Sequence, residues 1–446
     1  ESGIGNRKGK GKGKGTGTGT GVTHRLRLCR AGRHDASAIL APLPNRPARM
    51  PSRLPEPSAD ERAHSDDLLQ LLRGMIASHG PLPFSQYMER CLYAPGLGYY
   101  SAGRTKFGAA GDFVTAPELG SLFARCVVHA LQPTLVSLGE EADFLELGGG
   151  SGAFAEAALL AFADSGTLPR HYLILEPSAD LRQRQRERLA ASLPAELNAR
   201  VRWLDRPPEQ DWRGVLFANE VIDALPATRF TLRDGEVYEE YVALDGEGRL
   251  LRVDRPADAL VSGAVRHVER DIGSEFAAGY RSEILPQLPY WIQAVAGSLV
   301  AGLMLFIDYG YVRREFYLPE RDDGTLMAHY RHHAHNDPLY LPGLNDLTAS
   351  VDFTALAEAG NSAGFAVAAY LPQAQFLIGA GLQAIFEREQ AQAVDEHARY
   401  RLAQQVKTLM LPDQMGERFQ AMLLARGLDV LALPAELMAS DQGGRL

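Results

Sequence analysis

The stretch FLELGGGSG, Phe144 to Gly152, decides the fold of this chain. An apolar run of strand character carries one acid, breaks into four glycines and enters AFAEAALLAF, which has the composition of a helix. A strand, a glycine turn and a helix in this order let backbone lie against a bulky cofactor, because glycines lack the Cβ atoms that block close approach. The stretch therefore predicts a cofactor site at the carboxyl end of a strand in an α/β domain.

The glycines alone are compatible with two kinds of cofactor. Gly148, Gly150 and Ala153 satisfy the dinucleotide fingerprint G-x-G-x-x-G/A. Glu146, which we place at the end of the strand, favours a different ligand, because a carboxylate repels a bare phosphate and tolerates a cationic, amine-bearing cofactor. The residues favour S-adenosyl-L-methionine (SAM), and they leave an NAD(P)-dependent oxidoreductase as the alternative.

Composition and charge limit the partners of the chain. Its formal net charge is −9, but residues 1–49 hold 11 Lys/Arg against 2 Asp/Glu, so the remainder is strongly acidic. An acidic body argues against nucleic-acid binding, which needs basic surface, and suits a cationic partner. The longest apolar stretch, Trp291 to Ile307, is too short and too interrupted to cross a bilayer. We expect no membrane span, and we interpret this stretch as a helix running into a strand.

The chain divides into segments of different composition. We expect a disordered basic extension at 1–55, an N-terminal helical region with a cofactor-closing loop at 56–135, and a Rossmann-like core that binds SAM at 136–225. An inserted cap or substrate region follows at 226–300, and the remainder of the core sheet with C-terminal helices at 301–446. The three cysteines fit a reducing compartment. We expect a bacterial cytoplasmic protein, or a mitochondrial one if the Arg-rich extension is a transit peptide.

Short apolar strands alternate with helical stretches after residue 143. The predicted strands are DFLEL (143–147), YLILE (172–176), VRWLD (201–205), VLFAN (215–219), LMLFID (303–308) and, later, FAVAAYL (365–371). This alternation predicts a parallel sheet covered by helices on both faces. Between the fourth and fifth strands, Asp234-Gly235 and Asp245-Gly246 predict hairpin turns, which indicates that the insertion is rich in β-structure.

Acids follow the strands at the end where such sheets bind ligands. The polar residues at four predicted strand ends are Glu146, Glu176, the group Asn219, Glu220 and Asp223, and Asp308. At its position Glu176 can accept hydrogen bonds from both hydroxyls of a ribose. Glu220 and Asp223 lie where a second substrate would approach the cofactor.

The chemistry of methyl transfer explains the acids near the fourth strand. Transfer from a sulfonium needs an aligned acceptor and the exclusion of water, but no metal. A guanidinium acceptor has a pKa above ~12, and carboxylates would grip it bidentately and favour the nitrogen tautomer that attacks. Glu220 and Asp223, with Asn219, are therefore the predicted catalytic residues. The cluster His329, His332, His333 and His335 does not have the spacing of a common zinc site, so we predict no metal.

Five longer motifs resemble the MidA family of SAM-dependent methyltransferases. They are GDFVTAPELGSLF (111–123), LELGGGSG (145–152), ANEVIDALP (218–226), HYRHHAHNDPLYLPG (329–343) and DLTASVDFTALAEAG (346–360). The resemblance runs from about Leu68 to about Gly427. It implies a class I methyltransferase fold, that is, an α/β Rossmann-like seven-stranded sheet, here with an inserted β-rich and helical cap and an added helical region.

The resemblance also implies a cofactor site and an activity. SAM would bind at Gly148, Gly150, Gly152 and Glu176, with Glu146 beside it, and the loop with Asp112 and Thr115 would close near it. The mitochondrial members of the family are protein arginine methyltransferases needed for respiratory complex I assembly, which makes a complex I subunit the expected substrate. Besides the oxidoreductase, a non-catalytic SAM-binding assembly factor is an alternative function.

Overall fold

Helices and strands alternate along most of the chain. The computed structural model describes residues 54–103, 115–428 and 431–446, and all of them belong to the unit Ala41–Leu446. The helices are α1 (Ala59–His79), α2 (Phe84–Tyr93), α3 (Ser121–Leu138), α4 (Ala153–Asp164), α5 (Ala179–Ser192), α6 (Ala195–Asn198), α7 (Ala259–Ile272), α8 (Leu288–Ala296), α9 (Arg313–Phe316), α10 (Phe353–Ser362), α11 (Gln373–Gly379), α12 (Leu382–Gln392), α13 (Glu396–Met410) and α14 (Ala435–Ala439).

The strands form three sheets. They are β1 (Leu82–Pro83), β2 (Asp143–Leu147), β3 (Tyr172–Leu175), β4 (Val201–Leu204), β5 (Trp212–Asn219), β6 (Thr228–Arg233), β7 (Glu236–Leu244), β8 (Leu250–Pro256), β9 (Arg281–Ile284), β10 (Leu299–Tyr311), β11 (Met327–Tyr330), β12 (His333–His335), β13 (Asp346–Thr348), β14 (Val351–Asp352), β15 (Ala366–Pro372) and β16 (Phe419–Arg426). Two 3₁₀ turns, Ala116–Leu119 and Gly443–Arg445, complete the elements.

The central sheet has the strand order β4-β3-β2-β5-β10-β16-β15, and short β14 pairs with the end of β10. The first five strands run parallel, whereas β16 is antiparallel to both of its neighbours. Every residue of β2 is buried, as expected for a strand covered on both faces. The predicted seven-stranded Rossmann-like sheet is confirmed.

Helices cover both faces of the central sheet. On one face, α3 and α4 pack on β2 and β5, where Phe123, Phe154 and Phe217 are in mutual ring contact. On the other face, α8 and α10 bury Ile292 and Leu356 against the sheet. The predicted passage from helix to strand is confirmed, because α8 leads directly into β10.

The insertion between β5 and β10 forms a second, antiparallel sheet. The strand order of this sheet is β1-β7-β6-β9, with β8 paired to β7; β1 joins it from the N-terminal region. The two predicted hairpin turns lie between β6 and β7 and between β7 and β8. A buried ion network joins these strands: Arg229 contacts Glu283 at 2.5 Å, and Arg281 contacts Asp254 at 3.0 Å.

A third sheet, with the order β12-β11-β13, was not predicted from the sequence. It lies between β10 and β14 in the chain and carries the histidine-rich motif. Ala328 of β11 and Leu347 of β13 share a core with α1 and α2, which bury Leu68 and Tyr87 there. The third sheet therefore links the N-terminal helices to the body of the fold.

One helix of the described residues, α3, has the length and mean hydropathy (1.2 over 18 residues) of a membrane span. More than half of this window is buried in the protein, where Leu122, Val127 and Leu131 belong to the core of the central sheet. A buried core helix has the same apolar composition as a membrane-spanning helix. The packing of α3 in the core therefore explains its hydropathy.

Candidate active site

A cavity of about 620 Å³ lies at the carboxyl ends of the central strands. The predicted site residues that line it are Thr115, Glu146, Gly148, Gly150, Glu176, Asn219, Glu220 and Asp223. Gly152 does not line the cavity: with φ +84° it is the N-cap of α4. Asp112 lies outside the described residues. The structure thus brings together residues that are up to 108 positions apart in the chain, from Thr115 to Asp223.

The glycine turn after β2 needs its first glycine. Gly148 has φ +64°, a conformation that L side chains rarely adopt, and a Cβ there would lie 3.0 Å from the Cγ2 atom of Val221. Its N–H donates to the carbonyl of Leu175 at 3.0 Å, which fixes the turn to the end of β3. Bare backbone therefore forms the wall of the cavity at this point.

Glu146 lies inside β2, which ends one residue later, so its placement at the strand end is corrected by one position. Its side chain lines the cavity and is buried, and the hydroxyl of Tyr172 donates to Oε2 at 2.7 Å. Burial raises the pKa of Glu146 to about 8, against the opposing effect of the tyrosine hydrogen bond. A cationic ligand in the cavity would stabilise the ionised carboxylate.

Glu176 follows the end of β3 and is held in place by hydrogen bonds. The N–H of Ser178 donates to its carboxylate at 3.0 Å, and the Gln185 amide reaches it at 3.4 Å. The same amide donates to the carbonyl of Gly150 at 2.9 Å, so it ties Glu176 to the glycine turn. Burial raises the pKa of Glu176 to about 7.

The turn that begins at the last residue of β5, residues 219–224, carries the predicted catalytic residues, and we call it the acceptor turn. Glu220 has φ +53°, which is strained for a residue with a side chain, and its N–H donates to the carbonyl of Ile307 at 2.9 Å. The Asn219 amide donates to Glu220 Oε1 at 2.8 Å. Burial, and next the charge of Asp223, raise the pKa of Glu220 to about 8.

Two oxygens of the acceptor turn lack a hydrogen-bond partner within the part of the chain that the structure describes. They are Asn219 Oδ1 and Asp223 Oδ1, and both are buried. Burial dominates and raises the pKa of Asp223 to about 6, against the opposing effect of hydrogen bonds to its carboxylate from the Tyr309 hydroxyl and the N–H of Ala224. Buried acceptors without donors are unfavourable, so this end of the cavity fits a ligand that brings N–H groups.

Sequence reasoning missed the residues that complete this end of the cavity. Tyr93 donates to the carbonyl of Ala224 at 2.9 Å, and Tyr100 donates to Asp346 Oδ1 at 2.8 Å. Tyr309 and Thr348 line the same wall. The aromatic loop that contains Tyr100 had a detectable signal in its Gly- and Tyr-rich composition, whereas Asp346 and Thr348 reach the cavity only through the unpredicted β13.

The charges of the lining differ between its two ends. The end of the cavity around the turn after β5, which we call the acceptor end, has no Lys or Arg among its described residues. These residues are Tyr93, Tyr100, Glu220, Asp223, Tyr309, Asp346 and Thr348. Arg182, at the other end, is paired with Asp205 at 2.5 Å. Over the described ranges, no group of three or more His, Cys, Asp or Glu side chains is placed to hold a metal ion.

The residues present fit a cationic nucleoside cofactor. The cavity has the volume of a small-molecule site, the turn at Gly148 permits close backbone approach, and Glu146 and Glu176 supply buried carboxylates. The glycine turn and these two acids form the end of the cavity that we call the cofactor end, opposite the turn after β5. Three of the four predicted strand-end positions thus line the cavity, in two groups, whereas the fourth, Asp308, lies inside β10 and is not part of the lining.

Comparisons with known proteins agree with this fit. Residues 122–371 match the model of a family described as S-adenosyl-L-methionine-dependent methyltransferases. A protein from Burkholderia thailandensis, solved with S-adenosylhomocysteine bound, is 39% identical, has a TM-score of 0.82 and covers 88% of this chain and 100% of its own. A second structure from that organism, solved in its native form, is 38% identical, has a TM-score of 0.79 and has the same coverage.

Curated relatives are similar over most of their length. One named protein arginine methyltransferase NDUFAF7 homolog, mitochondrial, from Drosophila melanogaster is 28% identical over 411 residues, which are 85% of this chain and 89% of the relative. The protein from Homo sapiens named protein arginine methyltransferase NDUFAF7, mitochondrial, is 27% identical over 79% of this chain and 82% of its own. These findings favour neither the oxidoreductase nor the non-catalytic factor. The cofactor is SAM, and the chain belongs to the MidA family of SAM-dependent methyltransferases.

Proposed function

We propose that this methyltransferase modifies an arginine side chain of a protein. The observation that carries the proposal is the pair of buried oxygens, Asn219 Oδ1 and Asp223 Oδ1, that lack donors within the described residues. Glu220 lies beside them, and no resident cation neutralises this end of the cavity in the described lining. A guanidinium brings five N–H donors and a positive charge, so it can donate to the two oxygens and neutralise the carboxylates.

The acceptor turn can position and deprotonate such a group. SAM would supply a methyl group bonded to a sulfonium. A nitrogen lone pair would attack this methyl group in line with the C–S bond, and S-adenosylhomocysteine is the leaving group. Glu220 and Asp223 would hold the guanidinium by charge-assisted hydrogen bonds and orient one nitrogen toward the methyl group. As the N–C bond forms and the C–S bond breaks, one N–H proton must leave, and Glu220 is placed to accept it. The pKa of about 8 belongs to the free protein; a bound guanidinium lowers it, so that Glu220 is ionised when it receives the proton.

The names of the relatives support the arginine acceptor, since each is called a protein arginine methyltransferase. We propose the region 226–300 as the cap on the substrate side, because Asp223 and Leu225 lead from the cavity wall into it. The identity of the acceptor as a respiratory complex I subunit stays a prediction. A cytoplasmic or mitochondrial location also stays a prediction.

The test is transfer of a radiolabelled methyl group from SAM to a protein extract, followed by hydrolysis of the labelled protein. We expect the label in methylarginine for the wild type and a loss of at least about 100-fold with Glu220→Gln, since a positioned acid or base contributes about that much or more. Both proteins should bind S-adenosylhomocysteine equally in calorimetry, because Glu220 lies at the acceptor end.

A matched control is Glu239→Gln, which changes a buried glutamate of β7 outside the cavity. This variant should label protein as the wild type does. Label in lysine or in a carboxyl ester would contradict the arginine acceptor. Equal labelling by the wild type and Glu220→Gln would remove Glu220 from the mechanism.

A further inference from the structure

We propose that Asp308 is a positioning residue, which holds the acceptor turn in shape and adds its charge to the attraction for the acceptor cation. The inference rests on the proposed function, because it concerns the same acceptor end. Asp308 belongs to β10, the strand next to β5, and it is 1% exposed. It is not part of the cavity lining and acts through the residues that are.

The carboxylate of Asp308 is the anchor of the acceptor turn. Its Oδ2 accepts the backbone N–H groups of Ile222 at 3.0 Å and Asp223 at 3.2 Å, while Oδ1 accepts the N–H of Tyr309 at 2.9 Å. Hydrogen bonds to a charged acceptor are stronger than neutral ones. Two of these bonds therefore fix the backbone from which the Asp223 side chain projects.

The turn needs such an anchor because its backbone is strained. Glu220 occupies φ +53°, and a residue in this region persists only where its surroundings determine it. On one side of Glu220, its own N–H is fixed to the carbonyl of Ile307. On the other side, Asp308 fixes the two residues before Ala224. β10 thus holds the turn through two neighbouring residues, one carbonyl and one carboxylate.

Asp308 is surrounded by acids. Glu220 and Asp223 face it from the acceptor turn, and Tyr309 follows it in its own strand. It makes no ion pair with a basic residue of the described ranges. Burial, and next the charges of Asp223 and Glu220, raise the pKa of Asp308 well above its ordinary value. A cation that arrives among these three acids lowers their pKa values, so binding of a guanidinium should release protons.

The test separates the anchor from the charge. Asp308→Asn keeps an oxygen for Ile222 and Asp223 but loses the negative charge, whereas Asp308→Ala loses both. The control is Asp441→Asn, because Asp441 Oδ1 also accepts two backbone N–H groups, those of Tyr370 and Gly443, at 2.8 Å each. The full chain, saturated with S-adenosylhomocysteine, is titrated with N-acetyl-L-arginine methylamide in two buffers of different ionisation enthalpy. The titration gives the affinity and the number of protons released.

We expect Asp308→Ala to weaken binding of the arginine probe roughly tenfold or more, with affinity for S-adenosylhomocysteine within about twofold of the wild type. Asp308→Asn should release fewer protons than the wild type. Its affinity should still increase with rising pH, but the increase should be complete at a lower pH and should end at a weaker plateau. A merely structural role would not move that proton count. Asp441→Asn should match the wild type in both measurements.

Two outcomes overturn the inference in different ways. If the wild type binds the probe and the Asp308 variants have its affinity and proton release, Asp308 has no positioning role and the proposed function stands. If the wild type does not bind the probe at all, the guanidinium acceptor fails, and the inference fails with it. Retained S-adenosylhomocysteine binding shows for each variant that the fold is intact.

Discussion

Gly148 is the residue on which the approach of the cofactor depends most directly. Gly148→Ala places a Cβ 3.0 Å from Val221 at φ +64°, so we expect weaker binding of S-adenosylhomocysteine, by about tenfold, and a loss of about 1–2 kcal/mol of stability. Calorimetry and urea denaturation measure the two effects. The control is Gly139→Ala, at φ +84° with open space around it, which should lose similar stability and keep the wild-type affinity. Equal affinities for both variants would contradict the role of the glycine turn.

Glu146 gives the free protein a stability that depends on pH. In the unfolded chain this carboxyl ionises near its ordinary pKa of 4.5, whereas in the folded protein its pKa is about 8. Between these two values only the unfolded state gains from ionisation, so this group lowers stability as the pH rises from 4.5 to about 8. Below 4.5 both states are protonated and the group has no effect.

We therefore expect Glu146→Gln to be more stable than the wild type by a few kcal/mol at about pH 8.5, with little difference at about pH 4.5. Urea denaturation of the cofactor-free proteins at both pH values measures this. Glu141→Gln, a change at an exposed glutamate paired with Arg170, should follow the wild type. A gain for Glu146→Gln that does not vary with pH would show that the folded carboxyl has an ordinary pKa.

The inserted sheet illustrates how an element depends on buried charge. Arg229 is 2% exposed and faces Glu240 and Glu283, so Arg229→Met leaves two buried carboxylates short of a partner. We expect a loss of about 3–5 kcal/mol in urea denaturation. Arg249→Met, in the exposed turn between β7 and β8, should change stability by less than about 0.5 kcal/mol. A loss below about 1 kcal/mol for Arg229→Met would mean that the network does not hold the sheet.

The elements differ in how well the sequence predicts them. β2 has the predicted bounds, because an apolar run between turn residues is a strong local signal. β16 was missed: its stretch AMLLA consists of residues that favour helices, and its place between β10 and β15 overrides that propensity. β5 and β10 begin earlier than predicted, since Gly214 and Gly302 interrupt the apolar pattern inside the paired strands.

The sequence predicted some residues of the candidate site and missed others. Glu176, Glu220 and Asp223 could be placed because each follows an apolar strand, and strand ends meet at one edge of a parallel sheet. Asp346 could not be placed, because it reaches the cavity through a small sheet whose pairing is not local in sequence. The burial that raises the pKa of Glu146 and Glu220 is likewise a property of the assembled fold.

In the described part of the molecule, the two ends of one cavity are built from different sheets and helices. The central sheet supplies the glycine turn and the acids at its strand ends, while the third sheet and the α2 region supply Asp346 and Tyr93. The acceptor end contains the carboxylates of Glu220 and Asp223 and has no Lys or Arg among its described lining residues, inside a chain whose residues after 49 are strongly acidic. This arrangement favours a cationic acceptor over a neutral one or a nucleic acid.

The most direct test of the account is a crystal structure of the chain with S-adenosylhomocysteine and N-acetyl-L-arginine methylamide. We predict the homocysteine moiety against the turn at Gly148, and the guanidinium within about 3 Å of Glu220 and Asp223, with one nitrogen facing the sulfur. A guanidinium bound away from the acceptor turn, or none bound while S-adenosylhomocysteine fills its end of the cavity, would contradict the arginine acceptor.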